Sequence, residues 1–187
     1  MAIDEAALQR LIDKDEIREV ALKYTRGIDR HDDDIMREAY HPDARDDHGE
    51  YIGDPDGFIH YAANVHATNW RWHQHYITNQ FIELNGPDTA HGEIYFFAVL
   101  VRKDGGNDIS GGRYIDRYEK RDGKWAVADR ICMVEWSGII PEAEAAVDYD
   151  TFIRGTWDRA DPSYLRPLTS SRANRVPPQY VLPGRDC

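Results

Sequence analysis

The chain has 187 residues, 41% of them hydrophobic and 11% aromatic, and carries a formal net charge of -11. That length and apolar share suffice for one substantial core, and so acidic a surface repels phosphate backbones and anionic lipid, which sets aside nucleic acid and membrane partners in favour of a small molecule. The two cysteines, Cys132 and Cys187, make no disulfide framework, and the opening MAIDEAALQR has neither the basic start nor the apolar run of a signal peptide, so the expected location is cytoplasmic.

In chain order, Ile17, Val20, Ala21, Tyr24 and Ile28 recur at steps of three and four, the spacing of one apolar stripe on a helix. Asp13 with Glu16 has the spacing of a capping box, which would start that helix there, and its end is expected near Gly27 to Arg30. A short helix is expected from Asp33 to Ala39, stopped by His41-Pro42, because a residue before proline is pushed out of helical geometry. DHGEYIGDPDG reads as a short strand and turn, and Asp56 to Val65 as a third helix entered through Asp-Pro.

From about Arg71 the period changes to two. WHQHYITNQFIEL, the turn residues Asn85-Gly86-Pro87 and HGEIYFFAVLVRK form a hairpin. A glycine-rich loop from Asp104 to Asn107 leads to GGRYIDRYEK, the turn Arg121-Asp122-Gly123 and a last strand, KWAVADRICMVEW. Helices first and an antiparallel sheet after them is the α+β pattern, with the helices on one face of the sheet. A further helix is expected from Glu142 to Ile153. Residues 1–160 then make one α+β domain, and residues 161–187 a tail of prolines and arginines, expected to dock on the body or on a neighbouring subunit.

Alternation puts His73, His75, Ile77, Asn79 and Phe81 on one face of their strand, a mixture of polar and apolar groups typical of a small-molecule site. A histidine becomes a useful base when a carboxylate accepts one ring N–H and leaves the other nitrogen bare. Asp29, one residue past Ile28 on the helical stripe and five past Tyr24, is the leading candidate for that carboxylate. Arg130, within an apolar strand, either pairs with a buried carboxylate or receives negative charge. Tyr114, Asp116 and Tyr118 share a face on the strand before it, where ordinary sheet packing explains them equally well.

Together, YTRGID at the end of a long first helix, HYITN on a strand and GGRYIDRYEKRDGKW, with Asp129-Arg130 shortly after, resemble the SnoaL-like branch of the nuclear-transport-factor-2-like superfamily over about residues 5–140. The resemblance implies a cone-shaped α+β barrel in which helices and a strongly curved antiparallel sheet enclose one apolar pocket. Enzymes of the branch, among them dehydrochlorinases, dehydratases and cyclases, work without a cofactor. Their strand histidine falls on His75, their helix-end aspartate on Asp29, a pocket tyrosine on Tyr24 and a pocket arginine on Arg130.

The expected activity is therefore a cofactor-independent lyase that eliminates water, halide or formaldehyde from a hydrophobic cyclic, aromatic or polycyclic substrate. His73, Asn79, Phe81, Tyr95, Phe97, Tyr114 and Trp136 are the expected substrate-binding residues, and no metal is expected. His73 leaves open which imidazole of the HQH run is the base. The same superfamily supplies non-catalytic small subunits of ring-hydroxylating dioxygenases, as well as isomerases and cyclases, and its members commonly form trimers or dimers, so a homo-oligomer is expected.

Overall fold

The computed structural model describes residues 4–142 and 152–173. Helix α1 spans Glu5–Arg30, and its start corrects the expectation of a cap at Asp13: the Asp4 side chain accepts from the backbone N–H groups of Ala6 and Ala7 and opens the helix earlier. Asp13 lies inside the helix with another task. Its carboxylate, buried, accepts from the Trp125 indole at 3.0 Å, from Lys120 at 2.9 Å and from Gln9 at 3.2 Å. The stripe read from sequence is the buried face, with Ile17, Val20, Ala21, Tyr24 and Ile28 all in the core.

Helix α2, Asp33–Glu38, folds back on the end of α1. Gly27 permits this, since a Cβ there would sit 2.7 Å from the Met36 Cβ and 2.8 Å from its backbone. Strand β1, Tyr40–Asp47, follows where no strand of that extent was expected, and pairs antiparallel with the short β2, Ile52–Gly53. Helix α3 runs over Pro55–Asn69, capped by the Asp54 side chain on the Gly57 N–H.

The long strands are β3, Trp70–Leu84; β4, Thr89–Arg102; β5, Asn107–Arg121; and β6, Lys124–Ile140. Asp122 and Gly123, both at positive φ, make the tight turn between β5 and β6. The six strands form one sheet in the order β2-β1-β6-β5-β4-β3, antiparallel except for the parallel pair β1 and β6. The sheet is an open, mixed one, with β2 and β3 at its edges. Register shifts interrupt β3 after Ile77, the β5–β6 pair at Gly111/Gly112 and at Arg117/Tyr118, and β1 after Tyr40. Such bulges bend strands, and α1 and α3 pack on the inner face so produced.

The helix expected from Glu142 to Ile153 falls mostly on residues 143–151, outside the described residues, and Phe152 and Ile153 are not helical. Residues 155–164 lie against the end of α1. Arg30 donates to Asp161, Arg159 and Tyr164 both donate to Asp32, and Trp157 stacks on His31 with ring centroids 4.1 Å apart.

Replacing Asp13 by alanine would leave the Trp125 indole N–H, 2% exposed, without its acceptor. The expected cost is about 1–3 kcal/mol, seen as a lower urea midpoint at unchanged slope, with Asp13→Asn recovering much of the loss.

Candidate active site

Asp29 is the last residue but one of α1, and His31 ends the helix in the left-handed region at φ 50°. The helix thereby delivers the Asp29 carboxylate to the side of β3. Asp29 Oδ1 lies 2.7 Å from His75 Nδ1 and 3.1 Å from His73 Nδ1, and Oδ2 accepts the His75 backbone N–H at 2.9 Å. Burial pushes the carboxylate pKa up, but the hydrogen bonds from His73 and His75 outweigh it and hold Asp29 at about 2, ionised. With Nδ1–H donated to this anion, His75 keeps a bare Nε2.

His75 also borders a cavity of about 600 Å³ between α1, α3 and the inner sheet face. Ile28, Phe58, Val65, Phe96 and Leu100 give it apolar walls; Tyr24, His48, His66 and Tyr114 give it polar points. His73, 1% exposed, is not on that wall: it lies behind, with Nε2 3.2 Å from His31 Nε2. Of the two imidazoles in HQH, His75 is thus the one that meets the cavity. A surface groove of about 810 Å³ beside Gln9, Leu84 and Lys120 offers no comparable set, since its Lys120 and Asp13 are bonded to each other.

Tyr24 lines the cavity and its hydroxyl lies 3.1 Å from His48 Nε2. Burial lifts its pKa well above 10, against the lowering effect of the Arg130 charge, so the phenol keeps its proton. Arg130 itself is fully buried and not on the cavity wall, which corrects its expected place as a direct pocket residue. Its Nε and Nη2 donate to the two Asp116 oxygens at 2.7 and 2.8 Å, the partner a buried guanidinium requires. It sits behind the rings, 4.3 Å from the Tyr24 centroid and 4.4 Å from that of Tyr114. Its charge reaches the cavity through those π faces.

Of the expected substrate-binding residues, Tyr114 lines the cavity; Asn79, Phe81, Tyr95, Phe97 and Trp136 do not. The bulge after Ile77 inverts β3, so Gln80 and Ile82 turn inward while Asn79 and Phe81, the latter 66% exposed, face solvent. On β4 the inward set is Ile94, Phe96, Ala98 and Leu100, which puts Tyr95 and Phe97 on the outer face. Trp136 is opposite Gly111, covers it, and stacks on Phe97, which in turn stacks on Tyr76. His48, Asp46 and His66 entered no sequence argument. For His66 a signal existed, its place four residues after Ala62 on the buried face of α3; for His48 there was only its spacing of two from Asp46.

Among the described residues, the ring nitrogens of His31, His66 and His73 come within 4.8 Å of one another, as do donor atoms of Asp29, His73 and His75. In the first set burial lowers the pKa of all three imidazoles, that of His31 to about 4 and that of His66 to about 2, and His66 Nδ1 is buried with no hydrogen-bond partner. Three neutral imidazoles could hold a zinc-like ion. The second set has its ring Nδ1 atoms already engaged with Asp29.

Solved structures that share the fold include hexachlorocyclohexane dehydrochlorinase LinA-type3 from Novosphingobium barchaimii, at TM-score 0.69 and 20% identity over 76% of this chain and 99% of that one; the type 2 dehydrochlorinase, at 0.68 and 21% over 75% and 97%; and a protein described as a scytalone dehydratase from Novosphingobium aromaticivorans, at 0.65 and 16% over 75% and 99%. No curated protein matches in sequence. The SnoaL-like domain profile matches residues 9–131, about two thirds of the chain, and the protein belongs to that family.

Proposed function

We propose that the protein is a lyase in which His75, oriented by Asp29, removes a proton from a hydrophobic cyclic or aromatic small molecule while a group leaves the neighbouring carbon. The single observation that carries this reading is the contact of Asp29 with the His75 ring at 2.7 Å on the wall of a cavity whose other walls are mainly apolar, with a few polar groups among them. A subunit that served only as a scaffold would have no use for a buried carboxylate supplied with N–H groups beside a bare imidazole nitrogen.

The steps follow from that geometry. His75 Nε2 takes the substrate proton, and the imidazolium so formed is stabilised by the Asp29 anion. Tyr24, with its proton retained, donates to an oxyanion or to the departing group, and Arg130 behind its ring offsets negative charge that develops on the phenol. The rings of Phe58 and Phe96 and the side chain of Leu100 suit a flat or polycyclic skeleton. Both acid and base are supplied by side chains, so no step calls on a cofactor.

His75→Ala should abolish turnover in a screen of cyclic alcohols, halides and aryl-propanoid diols, with the near-UV circular dichroism of the wild type. Asp29→Asn should lower kcat on the order of 10²- to 10⁴-fold with a smaller change in KM. Full activity of His75→Ala would end this reading.

The same groups set the acid range in which the site survives. A histidine held neutral in the fold has its folded pKa below the unfolded 6.5, so the unfolded chain binds the proton first and stability drains away as pH falls below 6.5. For His66 that loss continues toward pH 2; for Asp29, lowered from 3.8 to about 2, it begins only near pH 4. Unfolding free energy measured in urea at pH 7, 6 and 5 should fall with each step, and His66→Gln should flatten the slope by about 1.4 kcal/mol per pH unit.

A further inference from the structure

We infer that Asp46, His48 and Tyr24 form a second proton relay on the cavity, one that protonates a departing oxygen, so that the substrate class of the proposed lyase is an alcohol losing its hydroxyl and not a halide. The relay stands on geometry and charge; its assignment to the leaving group rests on the lyase reading.

Its parts come from elements that the Asp29–His75 pair does not use, apart from α1. Asp46, fully buried on β1, meets His48 Nδ1 through one oxygen and accepts the Tyr40 hydroxyl on the other. His48 Nε2 reaches the Tyr24 hydroxyl at 3.1 Å. The His48 ring is fixed by stacking on Phe58 with centroids 4.1 Å apart, and both His48 and Tyr24 line the cavity.

Charge then decides the direction in which the proton travels. Two carboxylates, Asp46 and Asp116, are shut away from water here with one guanidinium, Arg130, which spends its two strongest bonds on Asp116 and reaches Tyr40 at 3.2 Å. Among the described residues, Tyr24, Tyr40 and Tyr114 add no charge here, since burial holds each well above 10, and the Cys132 thiol on the same cavity is pushed up to about 12. One negative charge is left unbalanced, and an unpaired charge away from water is costly. An imidazolium at His48 balances it, with Nδ1–H on Asp46 and Nε2–H on the Tyr24 oxygen. The Tyr24 O–H is then free to point at a ligand.

In an elimination the electrons of the C–H bond form the new double bond as His75 Nε2 takes the proton. The C–O bond breaks, Tyr24 gives its proton to the leaving oxygen to make water, and His48 passes its Nε2 proton to Tyr24. His75 ends protonated and His48 neutral, and exchange with solvent restores both. A halide leaves as a stable anion and needs none of this, whereas hydroxide is too poor a leaving group to depart without a proton.

The test uses the full chain with 15N-labelled histidine. At pH 7.5, among eight histidines, one ring should show both nitrogens protonated, and that signature should vanish in His48→Gln and in Asp46→Asn while persisting in His75→Gln. A wild-type spectrum with no doubly protonated ring would overturn the relay whatever the variants do. The leaving group is read with 4-hydroxy-4-phenylbutan-2-one and its 4-chloro counterpart as probes. His48→Gln should slow loss of water on the order of 10²- to 10⁴-fold and loss of chloride less than about tenfold. Equal losses on both would overturn the assignment. Turnover of neither by the wild type, with the ring signature present, would count against the lyase reading and leave the relay standing.

Discussion

The site depends on one carboxylate. Asp29 is held at the end of a 26-residue helix and receives N–H groups from β3, two from rings and one from backbone. Each of those bonds favours the anion, and together they overcome the cost of burial. The same contacts pin the last turn of α1 to an edge strand, so the fold and the proposed chemistry share an anchor. Without it the β3 imidazoles would have no fixed tautomer, and the cavity would contain one more buried polar ring among aromatic walls.

Behind the cavity, a layer of tyrosines converts a salt bridge into an electrostatic background. Arg130 and Asp116 are bonded face to face and fully removed from solvent, yet the guanidinium lies within cation–π distance of Tyr24 and Tyr114. A positive charge placed there is shielded from direct contact with a ligand, while any negative charge forming on the phenols feels it in a medium of low polarity. In the proposed reaction the substrate would meet a phenol whose properties are set from behind.

Much of this was legible in the residues, and the failures have physical causes. The α1 stripe and the β3–β4 hairpin followed from periodicity, and parity put His73 and His75 on one face; the choice of His75 as the partner of Asp29 came from the family resemblance. The outward turn of Asn79 and Phe81 did not follow, because a one-residue bulge inverts every later side chain and leaves no mark in composition. Strand β1 was missed for a related reason. YHPDARDD carries a proline and four charges, and its partner for the parallel pairing lies far along the chain on β6. With β1 unseen, nothing brought Asp46 and His48 near Tyr24. Asp13 misled in the opposite sense: the spacing Asp-x-x-Glu that marks a cap recurs inside helices, and only the indole of Trp125 reveals the residue's use.

The missing side chain at Gly27 carries a consequence for how this protein can vary. One methyl group there would strike the backbone of Met36, and the relief available is for α2 to ride outward or for α1 to rotate. Asp29 is two residues further on, within the same turn, so a rotation would swing its oxygens off the strand they grip. A substitution with no ligand contact at all would thus be felt as a loss of aim in the proposed base, and selection for the proposed activity would guard the smallest residue in the helix as closely as the charged one it precedes.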